Sequence, residues 1–323
     1  MGFAEFEGRL WSEYRQDCQL PWITPIGHHG RRHLKHGQQF CVDCLREDAH
    51  PYFRRSWRLA FNVLCEKHSV YLLDACPICG APVEFHAGDF GVRLLPLECP
   101  ITLCPNCNHD YRYWPGHAFP ANPEAIEFQV HLTHCLNFGW GHTLPGSINY
   151  SHLFFAGLRQ LVQLAPSRGR FSRVLHQLQL SLGMLDFGPP QIATPFEFRR
   201  IHERAWIIEM CRLLLTSWPA NFISICKRSR VSSSYFFSYR SPYPYWFESE
   251  IRWHLNDRDY TPTKAERMSA KSWLLKRSLP VSANALNQLL GVSYYSRLTT
   301  QRPGPKHTWN PRGPTSRTRC RIG

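Results

Sequence analysis

The chain has 323 residues, with 38 Lys and Arg against 24 Asp and Glu, and its formal net charge of +14 favours polyanionic partners, nucleic acid foremost. No run of about twenty apolar residues is present, which excludes a spanning helix; the most apolar stretch, IIEMCRLLLTSW, is too short and carries Glu209 and Arg212. No basic and then apolar segment follows Met1, so the expected compartment is the cytoplasm, and the 13 Cys, many in C-x-x-C pairs, point to metal rather than disulfides.

Residues 1–39 form an approach segment that ends in PWITPIGHHGRRHLKHGQQ, with loop-forming Pro and Gly among basic residues. A tandem zinc-binding module follows over 40–136. Zinc takes four tetrahedral ligands from Cys and His, and each two-residue spacing offers two of them from one turn. Cys41 and Cys44 form the first clip, Cys65 and His68 the second, Cys76 and Cys79 the third (CPICG), and Cys104 and Cys107 the fourth (CPNCN). Sequential pairing gives one quartet of three thiolates and an imidazole and another of four thiolates. Cross-bracing of the first and third clips, or replacement of a ligand by Cys99 or His109, stays open at this level. Both quartets are closed to water, so two structural Zn2+ ions are expected, and the metal's binding energy becomes folding energy for a loop-rich module. Gly80 is free to take the positive φ that brings backbone N–H groups toward sulfur. Cys18, Cys135, Cys211, Cys226 and Cys320 have no partner in register and read as core or tail residues. Between the first two clips, PYFRRSWRLAFNVL reads as a short amphipathic helix or strand, with Trp57 and Phe61 packing and Arg54, Arg55 and Arg58 outward.

CVDCLREDAHPYFRRSWRLAFNVLCEKHSVYLLDACPICGAPVEFH resembles the TniQ/TnsD family of transposon target-selection proteins. The pattern C-x-x-C-L-x-E-D leads through PY-x-R-x-x-WR to C-x-x-H and a CPxCG clip, and it includes Leu45, Glu47, Asp48, Pro51, Tyr52, Arg54, Trp57 and Arg58 besides the ligands. WITP at 22–25 and the later helical region resemble the family more loosely. The resemblance implies a non-catalytic adaptor that marks a DNA site, directly or through an RNA-guided effector complex, and recruits an AAA+ ATPase regulator and through it the transposase. It is compatible with a homodimer and calls for no membrane. Family members usually carry a helical DNA-binding region ahead of the zinc module, whereas only residues 1–39 precede it here.

NFGWGHTLPGSINY, 137–150, reads as a linker. A helical domain over 151–260 follows. SHLFFAGLRQLVQLA, FSRVLHQLQLSLGML and PFEFRRIHERAWIIEMCRLLLTSW carry apolar residues at helical spacing, and the third, apolar around most of its girth, belongs at the centre of a bundle. PANFISICKRSRVSSSYFFSYRSPYPYWFESEIRWHL suggests a helix-turn-helix, and LPVSANALNQLLGVSYYSRL, within a unit at 261–298, suggests a second, with Ser282 and Ser293 as N-caps around a turn at Gly291. Candidate nucleic-acid contacts are Lys227, Arg228, Arg230 and Arg240, interleaved with Tyr235, Tyr239, Tyr243 and Tyr245, then Arg297, Arg302 and Lys306. The last two lie in a basic tail, 299–323, whose composition predicts disorder.

The fold class is therefore mostly α, with an N-terminal tandem zinc module and a C-terminal helical bundle bearing helix-turn-helix-like units. Catalysis is not expected. No carboxylate cluster suits two metals, no G-x-x-x-x-G-K-[ST] occurs, and His50, Asn62 and His68, the one nuclease-like grouping, compete with the use of His68 as a ligand. The alternative to the adaptor is a stand-alone sequence-specific DNA-binding regulator.

Overall fold

Helix is the dominant regular structure. The computed structural model describes residues 3–13, 20–25, 28–29, 32–33, 37–84, 100–114, 116, 119–141, 150–164, 174, 194–229, 231–237, 243–255 and 263–290. By its contacts the chain divides into two units, Met1–Asn256 and Asp257–Gly323.

In the first unit, the β-strands among the described residues form two short antiparallel pairs, beside isolated bridges such as Ile23 to Leu59 and Phe40 to Leu73. β1 (His28–His29) pairs with β2 (Arg32–His33), and β3 (Leu64–Cys65) pairs with β4 (Val70–Tyr71) in the register Leu64 to Tyr71 and Cys65 to Val70. The helices are α1 (Val42–Glu47), α2 (Pro123–Phe138), α3 (Ser151–Leu164), α4 (Ile201–Leu215), α5 (Ala220–Arg228) and α6 (Tyr245–His254). α2 runs to Phe138, so the first two residues of the stretch expected as a linker, 137–150, are helical. Asn122 caps its start by accepting from the Glu124 N–H at 2.8 Å, Pro123 occupies the first turn, and Gly139 ends it at φ 76°. The helix expected at 171–185 lies outside the described residues apart from Val174.

α4 is the central helix, as its apolar girth predicts. Trp206, Ile207, Met210, Cys211 and Leu214 are all at or near zero exposure, and α2, α3 and α5 pack around it. α6 closes on α3 where Gly157 leaves room: a Cβ there would lie 2.0 Å from the Trp246 ring, and Trp246 Nε1 donates to the Leu153 carbonyl at 3.0 Å.

Two long-range hubs join this bundle to the Cys-rich module. Trp22, of the WITP stretch, is 1% exposed and sits edge-on to Phe61, Phe155 and Phe196 at centroid distances of 5.7, 5.8 and 5.7 Å. Its N–H donates at 2.7 Å to buried Glu197, which also pairs with Arg159. The second hub is Arg204 on α4, fully buried, whose guanidinium donates to the carbonyls of Arg199 at 2.9 Å and Ala60 at 2.9 Å and to Gln39 Oε1 at 3.1 Å. Gln39 in turn donates to the Trp57 and Leu59 carbonyls, and Asp74 accepts from the Ile201 N–H at 2.7 Å and faces Arg204 at 3.7 Å. Burying these groups without partners would cost several kcal/mol, so the module and α4 are committed to one arrangement.

The second unit contains α7 (Lys264–Lys276) and α8 (Ala283–Leu290). Thr263 and Glu266 close a capping box on α7, and Ser282 caps α8 as expected, its Oγ accepting from the Ala285 N–H at 3.1 Å. Ala270, Leu274 and Leu286 form its buried cluster.

Candidate metal centre

The third and fourth clips are built alike. In each, the first Cys N–H donates to the carbonyl five residues on (Cys76 to Ala81 at 2.7 Å, Cys104 to His109 at 2.8 Å), and the N–H four residues on returns to the first Cys carbonyl (Gly80 at 2.9 Å, Asn108 at 2.8 Å). That turn needs a left-handed residue at its fourth step, supplied by Gly80 at φ 70° and Asn108 at φ 60°. The second clip repeats the device within the β3–β4 hairpin: Ser69, at φ 54°, donates to the Cys65 carbonyl at 2.8 Å. In the first clip, Cys41 stands at the N-cap of α1 and Cys44 within its first turn.

These turns bring the eight side chains together as two sequential quartets. Cys41, Cys44, Cys65 and His68 form one, Cys76, Cys79, Cys104 and Cys107 the other, and within each the ligand atoms lie within 4.8 Å of one another. His109 belongs to neither quartet, and Cys99 lies outside the described residues. A tetrahedral ion with ~2.3 Å bonds to sulfur and ~2.0 Å to nitrogen spaces its ligands at about 3.7 Å for S···S and about 3.5 Å for S···N. The first quartet shows Cys44 to Cys65 at 3.6 Å, and His68 Nδ1 at 3.4, 3.4 and 3.5 Å from Cys41, Cys44 and Cys65. The second shows Cys76 to Cys107 at 3.7 Å and Cys79 to Cys104 at 3.6 Å. A disulfide needs sulfurs at about 2 Å; all eight ligands expected from the sequence stand at ligand spacing instead. The two clusters fit a tandem zinc-binding module.

Electrostatics argue in the same direction. The Cys65 thiol is held far below the ordinary thiol range by hydrogen bonds from Cys41 and then Cys44, while Cys41 is driven up first by Cys44 and then by Cys65 and burial. Burial pushes Cys76 up to about 12; at Cys79 burial also raises, but contacts from Asn106 and the Ala81 N–H outweigh it and bring the thiol down to about 6. Crowded sulfurs cannot all ionise at neutral pH unless a cation compensates them. The first quartet is buried except for a half-buried His68, whereas Cys79 and Cys107 of the second are exposed.

The residues around the first quartet orient it. His68 Nε2 lies 3.0 Å from Glu47 Oε2, which leaves Nδ1 facing the sulfurs, and Lys67 holds the same carboxylate at 2.5 Å. Asp48 accepts from Arg54 Nη2 at 2.9 Å, and the Arg54 guanidinium lies over the Tyr52 and Trp57 rings at 4.9 and 4.8 Å. Arg58 points inward, against the outward expectation: Nε and Nη2 donate to the Thr24 carbonyl at 3.0 and 2.8 Å, and Thr24 N–H returns to the Arg58 carbonyl. Arg54 is half-buried, and Arg55 pairs with Glu5 at 2.6 Å. Trp57 and Phe61 are buried and pack, as expected, and the linking segment is a 3-10 turn (Arg55–Arg58) rather than a regular helix or strand. The second quartet is fastened to the first by Tyr111 against Phe40 at 4.9 Å and by Arg46 Nε donating to the Arg112 carbonyl at 3.0 Å.

Of the candidate nucleic-acid contacts, Lys227 and Arg228 lie exposed in the last turn of α5, while Arg230, Arg240, Arg297, Arg302 and Lys306 fall outside the described residues. Tyr243 is half-buried and donates to the Phe236 carbonyl at 2.8 Å, so it packs; Tyr245 and Trp253 on α6 are 84% exposed each. After α5 comes a 3-10 turn (Ser233–Tyr235), and the next described helix, α6, starts at Tyr245. Of the second helix-turn-helix-like unit, α8 is described and the part from Gly291 onward is not. Asn62, from the nuclease-like grouping, spends its amide on the Ser56 carbonyl at 3.0 Å. Cys135, Cys211 and Cys226 are core residues, and Cys18 and Cys320 are outside the described residues. Sequence reasoning named Glu47 and Asp48 as part of the C-x-x-C-L-x-E-D pattern but missed their orienting role; the signal was an acidic pair one turn after Cys44.

What the geometry defines is a scaffold with two closed Cys/His quartets on tight turns, each able to hold a metal ion, fastened to a helical bundle. The family model TniQ matches residues 6–72, so the chain carries a TniQ domain there. The match spans Trp22, the whole first quartet and Glu47, Asp48, Arg54, Trp57 and Arg58, and ends ahead of Cys76. No curated protein and no solved structure matches the chain. Among the described residues, no helix is long and apolar enough to cross a membrane.

Proposed function

We propose that the chain is a non-catalytic target-selection adaptor for DNA transposition, acting in the cytoplasm, which joins DNA or a target-site complex to an AAA+ ATPase regulator and so to a transposase. The observation that carries this reading is the TniQ match over residues 6–72, which falls on the first metal quartet and on the side chains that orient it. Two structural Zn2+ ions, one per quartet, make the module a rigid platform. A closed quartet has no position for an activated water, so the metal supports shape rather than hydrolysis. Lys227 and Arg228, with Arg230, Arg240, Arg297, Arg302 and Lys306, supply phosphate contacts, and the net charge of +14 favours the same partner.

Mixing the purified chain with a transposon-encoded AAA+ regulator and with duplex DNA, each alone and together, tests the assignment by size-exclusion chromatography. Co-elution with the ATPase supports the adaptor. Tight, sequence-selective DNA binding with no ATPase association supports the stand-alone regulator instead.

A further inference from the structure

The described residues of the second unit, 263–290, form a helical hairpin with few buried side chains for its length. Residues 263–290 bury the side chains of Ala270, Leu274 and Leu286, yet Met268 and Leu275 stay 61% and 59% exposed. Helices of this size draw most of their stability from a covered apolar face.

The exposed face has a regular pattern. Lys264, Met268, Lys271 and Leu275 follow one another at steps of four, three and four residues along α7, and all four are exposed. At 100° per residue they form one stripe, about a third of a turn from the face of Ala270 and Leu274 that meets α8. Met268 and Leu275 stand about 10.5 Å apart along the axis, and Lys264 and Lys271 repeat at the same interval. A 4-3-4 step is the spacing at which one helix lies along another.

We infer that this α7 stripe docks an acidic amphipathic helix of a partner protein, with apolar residues seven apart entering beside Met268 and Leu275 and carboxylates meeting Lys264 and Lys271. Charge selects this occupant. Residues 263–290 hold Lys264, Arg267, Lys271, Lys276 and Arg277 against Glu266 alone, a surplus of four, and Glu266 is engaged at the Thr263 cap. A second copy of this hairpin would bring like charge against like charge. Nucleic acid would pair the lysines but leave Met268 and Leu275 without apolar cover. An anionic membrane surface needs cations flanking a continuous apolar face, whereas here they alternate within it.

The test uses the full chain and a labelled 21-residue peptide with Leu at the a and d positions and Glu at e and g of three heptads, read by fluorescence anisotropy. Binding is expected, at least tenfold weaker for Leu275→Ser and for the pair Lys264→Glu with Lys271→Glu. That pair should instead gain binding to the matching peptide with Lys at e and g. Circular dichroism and metal content confirm that each variant is folded. Equal binding of a scrambled Leu/Glu peptide, or no swap of preference, overturns the inference. So does a preference of the stripe for anionic vesicles or duplex DNA, lost in the same variants, or self-association abolished by Leu275→Ser. Failure here with intact ATPase association leaves the adaptor reading standing, and the reverse outcome separates the two equally well.

Discussion

Replacing Arg204 by Met removes the cation that fastens α4 to the metal-binding module while keeping most of its apolar stem in place. The guanidinium serves the Arg199 and Ala60 carbonyls, Gln39 Oε1 and the Asp74 carboxylate, and it is wholly buried. Burial pushes its pKa down to about 10, with Asp74 the largest opposing influence, so it stays charged at neutral pH. In Arg204→Met those acceptors have no route to water, and Asp74 keeps only the Ile201 N–H. Breaking a buried pair in this way costs about 3–5 kcal/mol, a large part of the roughly 5–15 kcal/mol that stabilises an ordinary domain. Adding Asp74→Asn should recover part of the loss, because the residual charge is then gone; a coupling of about 1–3 kcal/mol is expected. Equilibrium urea unfolding, followed by tryptophan fluorescence with metal content matched, measures both numbers. A single variant that loses less than about 1 kcal/mol, or two changes that simply add, would refute the view that this polar hub joins the two parts.

Smaller perturbations probe the other elements. Glu47→Gln should weaken metal binding at the first quartet by about 10–100-fold and leave the second unchanged, read by chelator competition; equal loss at both sites contradicts an orienting role for Glu47. Gly37→Ala places a Cβ 2.2 Å from the Val83 carbonyl oxygen and 2.5 Å from its nitrogen, backbone atoms with little freedom to yield. A loss of about 1–3 kcal/mol in urea unfolding is expected, and an unchanged midpoint contradicts the close packing. Burial pushes His131 from 6.5 down to about 4, helped by His134, so it is neutral in the fold at neutral pH. The unfolded chain therefore takes up this proton first, and the stability present above pH 6.5 is lost as pH falls toward 4. His131→Gln should lessen the decline in urea midpoint between pH ~7 and ~5 relative to the unsubstituted chain. Parallel profiles would show that another group titrates.

The metal quartets were legible because their signal is local: a two-residue spacing fixes a turn, and the turn fixes two ligands. α3 and α4 were legible for a related reason, since apolar period and girth report directly on burial. α2 was not, although Asn122, Pro123 and Gly139 mark its ends, because polar Gln129 and His131 sit among its buried or half-buried positions and blur the periodicity. Gln129 is buried to meet the Val63 N–H at 3.3 Å, a partner 66 residues away. The same limit explains Arg58 and Arg204. A basic residue reads as surface until the fold supplies a carbonyl for it, and Thr24 and Ala60 are reached only through tertiary structure. Trp22 joins three segments remote in sequence, and no local pattern announces that.

Metal analysis of the purified 323-residue chain, combined with zinc-edge X-ray absorption, bears most directly on the claim that two stapled quartets hold this scaffold together. Two equivalents of zinc per chain are predicted, with a shell dominated by sulfur at about 2.3 Å and a minor nitrogen contribution from His68 alone. Cys44→Ser should remove one equivalent, together with cooperative unfolding of the module. A chain that unfolds cooperatively with well under two equivalents bound, or a shell dominated by oxygen, would contradict the account.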